Sequence, residues 1–153
     1  MPPAIIVAVP ANVDLEPNPI PSRWIIEGSP EACAKNLAVS EDGSSWVVAW
    51  SCTAGRFVWH YSVDETVHII SGEVFITDEK GSERRLGPGD MAFFPSGSSS
   101  TWYVPNAVRK LAVCRHSVPR LIGKLLPIWS RVATRVRRAM ARGEKTFNPW
   151  PAV

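Results

Sequence analysis

Between Gly55 and Gly97 the chain alternates short apolar, β-branched runs with turn-forming residues, and this pattern restricts the fold more than any other feature. Gly87-Pro-Gly-Asp90 suits a type II turn, because Gly89 supplies the positive φ angle that the turn requires. Asp78-Glu-Lys-Gly81 predicts a second turn. Short strands separated by turns about every ten residues are typical of a sandwich or barrel. The sequence therefore predicts an all-β domain.

The length of 153 residues suits one such domain with appendages. Residues 1–22 are apolar and rich in proline, which predicts an extended arm. The β-domain is expected over residues 23–117. Residues 118–143 have a helical period, and residues 144–153 form a tail.

Apolar residues recur every three or four positions in segment 118–143, which predicts an amphipathic α-helix. This apolar stripe consists of Leu121, Leu125, Ile128, Trp129, Val132, Val136 and Met140. Pro127 is expected to kink or split the helix, and Gly143 to end it.

The same segment is basic, and its cations are Arg120, Lys124, Arg131, Arg135, Arg137, Arg138 and Arg142. We expect the stripe to pack on the barrel or on a partner subunit, with the cations in water. Contact with an anionic membrane surface is the alternative. No motif for reading nucleic acid supports a third role, so we expect no nucleic-acid partner.

Composition restricts the setting of the protein. The net charge is +3, and no apolar run is long enough to span a membrane. The proline-broken start lacks the positive region of a signal peptide. Three cysteines at spacings that match no zinc motif predict free thiols. Together these features predict a reduced, cytoplasmic protein.

A series of landmarks runs in a fixed order through residues 24–115. They are Trp24, Glu27-Gly28-Ser-Pro30, Ser40-Glu-Asp-Gly43, Trp50, Thr53-Ala-Gly55, Trp59-His-Tyr61, Asp64-Glu65, Gly72, Thr77-Asp78, Gly87-Pro-Gly-Asp90, Phe94-Pro95, Gly97, Trp102 and Val108-Arg-Lys110. This series resembles the small single-domain cupins grouped with the (S)-ureidoglycine aminohydrolase cupin domain. The resemblance implies an RmlC-like jelly-roll barrel, but it says less about activity, because one fold hosts many functions.

In metal-binding cupins the first motif supplies His-x-His and then a glutamate, which this resemblance matches to Glu65. The shorter spacing back from Glu65 puts the two histidine positions on Trp59 and Tyr61. The longer spacing puts them on Val58 and His60. Either register keeps Glu65 and at most one other usable ligand.

The histidine of the second cupin motif falls on Ser100, which is a poor metal ligand. A firm divalent site requires three or four nitrogen or oxygen donors that converge on one point. We therefore expect no metal ligands and no cofactor. A weak divalent metal site that uses Tyr61 and Glu65 with waters is the alternative.

Strand alternation places Trp59 and Tyr61 on one face and His60 on the other. With the first two facing inward, the barrel interior becomes an aromatic box with one carboxylate and two hydroxyls. Its members are Phe57, Trp59, Tyr61, Glu65, Ser100 and Trp102. Lys110, on the last strand, either pairs with Glu65 or meets a ligand anion. Apolar walls with a few polar groups predict a small-molecule site.

Two functions fit this box. The first is a binding module for a small polar organic molecule, such as a carboxylate, a ureide or a sugar. The second is a small-molecule enzyme, similar to ureidoglycine aminohydrolase or to metal-free isomerases and epimerases, with Glu65 and Tyr61 as catalytic acid–base groups. The missing ligands favour the first. We also expect a homodimer, because the arm 1–22 and the apolar stripe have surface to bury.

Overall fold

The computed structural model describes residues 4–119, 122–123, 127–128 and 130–135. The chain divides after Ser117 into two compact units. Within the described residues the first unit contains antiparallel β-strands and a short 3₁₀ turn, Ser22–Trp24. The strands are β1 (Glu16–Pro17), β2 (Ile25–Gly28), β3 (Ala32–Val39), β4 (Ser45–His60), β5 (Asp64–Gly72), β6 (Val74–Asp78), β7 (Glu83–Leu86), β8 (Met91–Phe94) and β9 (Ser99–Arg115).

Two long strands, β4 and β9, pair along their whole length and organise the domain. Along one half of this pair, β3 lies beside β4, and β1 lies beside β3. On the other edge of the same half, β5 lies beside β9, and β8 lies beside β5. The other half carries β2 beside β4, and β6 and then β7 beside β9. The core lies between these two halves, and its largest fully buried side chains are Trp102, Phe57, Ile69, Val67, Val74 and Val104.

The apolar runs 46–50 and 57–61 predict two short strands, as do the runs 100–104 and 107–114, and this prediction was wrong because β4 and β9 are each continuous. The register shifts between Thr53 and Gly55, so the chain bends through an irregularity while pairing continues. A Cβ atom at Gly55 would lie 2.8 Å from the ring of Pro30, so the bend needs glycine for close approach.

The turn predicted at Gly87-Pro-Gly-Asp90 is confirmed. Gly89 has a φ of +90°, and the amide of Asp90 donates to the Gly87 carbonyl over 3.0 Å. Strand β3 was not predicted, because alanine, lysine and asparagine within it favour strands weakly. Pairing with β4 on one side and β1 on the other holds it in the sheet.

The segment before β1 lies against the β-domain at one described point. The Arg109 guanidinium on β9 donates to the carbonyls of Pro10 and Val13. Beyond this anchor, the side chains of Ile5 and Val7 are exposed. Residues 10–12 form a turn, in which the Asn12 amide donates to the Val9 carbonyl over 2.9 Å, and β1 follows as a strand beside β3.

The second unit is helical at residues 122–123, 127–128 and 130–135. The Thr134 hydroxyl donates to the Ser130 carbonyl over 2.8 Å, as a helical turn allows. Ile128 and Val132 of the apolar stripe are exposed. The other stripe residues, Gly143 and the tail 144–153 lie outside the described residues. In the described part of the chain, no helix is both long and apolar enough to cross a membrane.

Candidate functional site

A buried ion pair lies between the two halves of the β-domain. Lys110 on β9 places its Nζ 2.7 Å from Oε1 of Glu65 on β5. Their side chains are 5% and 8% exposed. Charges removed from water this completely are tolerated only when they are paired and hydrogen-bonded. Of the two roles predicted for Lys110, the structure shows the pairing with Glu65.

Three indole rings surround the same ammonium group. Lys110 Nζ lies 4.5 Å from the ring centroid of Trp102, 4.8 Å from that of Trp50 and 5.7 Å from that of Trp59. Aromatic faces attract a cation at such distances. The aromatic box predicted for a ligand thus already encloses a cation that the chain itself supplies.

Trp50 was not predicted to belong to this box, although its position in the sheet indicates it. It pairs directly with Lys110 across β4 and β9, so the two side chains emerge on the same face of the sheet. Its indole Nε1–H is buried without a hydrogen-bond partner in the described structure.

A polar network lies beside the ion pair. The Trp102 Nε1–H donates to Tyr61 Oη over 2.9 Å and lies 3.2 Å from Ser100 Oγ. Tyr61 Oη and Ser100 Oγ are 2.9 Å apart, and either hydroxyl can be the donor. The Phe94 ring stacks on the Tyr61 ring with centroids 4.5 Å apart. Phe57 in turn stacks on Trp102. The structure therefore brings together the six side chains of the predicted box and Lys110.

Burial controls the ionisation of the neutral groups in this interior. It raises the pKa of the Tyr61 phenol, although hydrogen bonds with Ser100 and Trp102 act in the opposite direction. Burial likewise raises the pKa of the Cys52 thiol to about 12 and that of Cys114 to about 11. These groups stay protonated at neutral pH.

The side chains present do not fit a divalent metal ion. The ammonium of Lys110 occupies the space beside Glu65, where a second cation would be repelled. The histidines His60, His68 and His116 are all exposed. Among the described residues, no three His, Cys, Asp or Glu side chains converge as a metal site requires.

A cavity of about 370 Å³ opens between the β6–β7 hairpin and β8. Ser100 and Phe94, both buried, lie on its wall and also belong to the polar and aromatic network described above. The rest of its wall is Ile76, Asp78, Glu79, Lys80, Ser82, Arg84, Leu86, Ala92, Phe93, Pro95, Ser98 and Ser99. Of the seven side chains predicted to bind a ligand, only Ser100 is on this wall. The cavity was missed because no period in the sequence relates the hairpin to β8.

Alternation along β7 decides which side chains reach the cavity. Arg84 and Leu86 line it, whereas Arg85 between them faces away and pairs with Glu73 over 2.6 Å. Arg84 and Lys80 have no carboxylate within 4 Å among the described residues.

The two acidic residues of the cavity are already hydrogen-bonded. Asp78 Oδ1 accepts the backbone N–H groups of Lys80 and Ser82, each over 2.9 Å. Glu79 Oε1 accepts the Ser99 amide over 2.8 Å and the Ser99 hydroxyl over 2.7 Å. These bonds lower the pKa of both carboxyl groups, so both are ionised at neutral pH.

Comparison with known proteins identifies the type of fold. Residues 39–112 match the sequence model of the EutQ-like cupin domain. A search of curated proteins found no match. The cupin domain of Cnp3 from Schizosaccharomyces pombe is 13% identical, with a TM-score of 0.57 over 74% of this chain and 71% of that one. The expected all-β cupin fold is confirmed.

Two solved EutQ proteins are also similar. The putative ethanolamine utilization protein of Salmonella typhimurium LT2 is 27% identical, with a TM-score of 0.51 over 57% of this chain and 72% of that one. The Clostridium difficile EutQ protein is 24% identical, with a TM-score of 0.52 over 57% and 70%. Both support a cupin, while membership of the ureidoglycine aminohydrolase group stays a prediction.

Proposed function

We propose that this barrel, which has the fold of a cupin, binds a small polar organic molecule in the cavity between the β6–β7 hairpin and β8. The observation that carries the proposal is the position of Ser100. This residue is on the cavity wall, and its hydroxyl is within hydrogen-bond distance of Tyr61 and Trp102. A mainly apolar pocket with a few fixed polar groups is typical of small-molecule sites.

The contacts inside the barrel support binding at this cavity rather than in the aromatic box. Glu65, Lys110 and the three surrounding indoles satisfy one another, and none of them is on the cavity wall. A ligand in the box would have to displace the ammonium group and leave it buried without its partner. A ligand in the cavity meets Ser100 and leaves the ion pair intact.

The same observations weigh against acid–base catalysis by Glu65 and Tyr61. The raised pKa of the Tyr61 phenol makes it a poor base or acid near neutral pH. The Glu65 carboxylate is bonded to Lys110 and is not on the cavity wall. A binding module therefore accounts for this arrangement better than an enzyme.

A ligand screen tests the proposal. Small carboxylates, ureides, sugars and ethanolamine, the last chosen because one structural neighbour is named for its utilization, would be screened by ligand-observed NMR. We expect Ala92→Phe, which fills the cavity, to abolish binding of every hit. Ser100→Ala should weaken hits that carry a carbonyl or hydroxyl acceptor.

Ser51→Ala is the matched control, because Ser51 lies on the half of β4 that pairs with β3 and is not on the cavity wall. It should leave all affinities unchanged. Hits that bind Ala92→Phe as tightly as the wild type would refute a site in this cavity.

A further inference from the structure

We infer that the molecule bound in this cavity is a small organic anion with two recognised ends, one held by Ser100 and the other by Arg84. This inference rests on the proposed function and specifies its ligand. The two residues come from different strands, β9 and β7, and line the same cavity.

The direction of the hydrogen bonds makes Ser100 a donor into the cavity. Tyr61 Oη accepts the Trp102 N–H, so the phenol proton needs another acceptor. Ser100 Oγ, 2.9 Å away, is its only other partner in the described structure. The opposite assignment would leave a buried phenol proton without an acceptor, which is unfavourable.

When the Tyr61 hydroxyl donates its hydrogen bond to Ser100 Oγ, the Ser100 hydroxyl can donate its own proton to another acceptor. Among the described residues, no protein acceptor other than Tyr61 lies within hydrogen-bond reach of Ser100 Oγ. The cavity that Ser100 lines therefore supplies the acceptor, which is a carbonyl, carboxylate or hydroxyl oxygen of the ligand.

The charges of Asp78 and Glu79 offset those of Lys80 and Arg84, so the hydrogen-bond donors without an acceptor are what favour an anion at the other end. Asp78 and Glu79 each already accept two hydrogen bonds from the chain through one oxygen. The guanidinium of Arg84 and the ammonium of Lys80 have no side-chain acceptor in the described structure. A guanidinium binds a carboxylate through paired, charge-assisted hydrogen bonds, so Arg84 is the better anchor.

The apolar wall between these ends restricts the body of the ligand. Ile76, Leu86 and Ala92 line the cavity on three different strands. A short hydrocarbon segment matches this surface, with a carboxylate at the exposed Arg84 and an acceptor oxygen at the buried Ser100. Short keto acids and hydroxy acids have this chemistry.

Four probes test the two ends separately by NMR titration at low ionic strength. Levulinate carries both a ketone and a carboxylate, pentanoate lacks the ketone, methyl levulinate lacks the charge, and ethanolamine carries the opposite charge. We expect levulinate to bind most tightly. Arg84→Gln should weaken levulinate about 3–10-fold and leave methyl levulinate unchanged, since an exposed contact is partly screened by water.

Ser100→Ala should weaken levulinate and methyl levulinate but not pentanoate. Arg85→Gln is the matched control, because it removes the same charge one residue away on the opposite face. Equal effects of Arg84→Gln and Arg85→Gln on levulinate, or tighter binding of ethanolamine than of levulinate, would overturn the inference.

Failure of the broader proposal gives a different result. If Ala92→Phe leaves the binding of all four probes unchanged, the cavity is not the site and both conclusions fall. If Ala92→Phe abolishes binding while Arg84→Gln has no effect on levulinate, the cavity stands and the anionic ligand is refuted.

Discussion

The cluster around Lys110 and the cavity beside Ser100 contain similar side chains but use them in opposite ways. In the cluster the carboxylate of Glu65 has its cation, and the cation has its aromatic faces. In the cavity the guanidinium of Arg84 and the proton of Ser100 remain available. Polar groups that satisfy one another contribute to a defined fold, whereas groups with unused bonding capacity in a concave surface are suited to a ligand.

Replacement of Lys110 in the cluster should lower the free energy of unfolding more than any change in the cavity. Lys110→Met leaves the Glu65 carboxylate buried without a partner, which should lower the free energy of unfolding by about 3–5 kcal/mol. Urea denaturation measures this loss. The double variant with Glu65→Leu should recover most of it, because an apolar pair replaces the ion pair. Equal instability of the single and double variants would mean that the pair is not coupled.

Loss of the Tyr61 hydroxyl should have a smaller effect on stability. Tyr61→Phe removes the acceptor of the Trp102 N–H, and Ser100 Oγ at 3.2 Å replaces it only in part. We expect the free energy of unfolding to fall by about 1 kcal/mol. Tyr103→Phe, on the outward face of β9, is the control and should change it by less than about 0.5 kcal/mol.

Alkaline pH should destabilise the β-domain, because the buried thiols of Cys52 and Cys114 resist ionisation in the folded state. The folded-state pKa values of about 12 for Cys52 and about 11 for Cys114 exceed the usual value of 9.0. The stabilisation is therefore complete below pH 9 and is lost as the pH rises from 9 towards 11–12. Each thiol contributes a slope of up to about 1.4 kcal/mol per pH unit.

Urea unfolding at several pH values between 8 and 10.5 measures this slope. Cys52→Ala should flatten it compared with the wild type. An unchanged slope in Cys52→Ala would show that other groups govern the alkaline transition.

The cavity side chains should affect stability least. Arg84 has no salt bridge among the described residues, so Arg84→Gln should change the free energy of unfolding by less than about 0.5 kcal/mol. Arg85→Gln loses an exposed pair with Glu73 and should cost about 0.2–1 kcal/mol. Thermal denaturation compares the two. A larger loss in Arg84→Gln than in Arg85→Gln would mean that Arg84 has a structural role.

The contents of the barrel interior could be predicted from the sequence because strand alternation is strictly local. Trp59 and Tyr61 follow from it, and the contact of Trp59 with Lys110 shows that their inward direction was predicted correctly. The continuity of β4 was not predictable in the same way. Whether a glycine such as Gly55 ends a strand or bends it depends on its close contact with Pro30, which lies 25 positions earlier.

The cavity could not be predicted, because it depends on how two separate pieces of the sheet diverge. Arg84 and Ala92 belong to strands that do not pair with each other in the described structure. No residue spacing encodes the gap between them. The sequence did single out Ser100, for the different reason that it replaces a histidine of the second cupin motif.

The pairing of Glu65 with Lys110 has a consequence for the divergence of this protein. The two positions are 45 residues apart in the chain, yet a change at either one alone leaves the other charge buried in the barrel without a partner. Substitutions there are expected to be inherited jointly, or through an intermediate that carries a compensating change elsewhere. Descendants of this sequence should therefore show correlated substitution at positions 65 and 110, in contrast to independent drift at position 85.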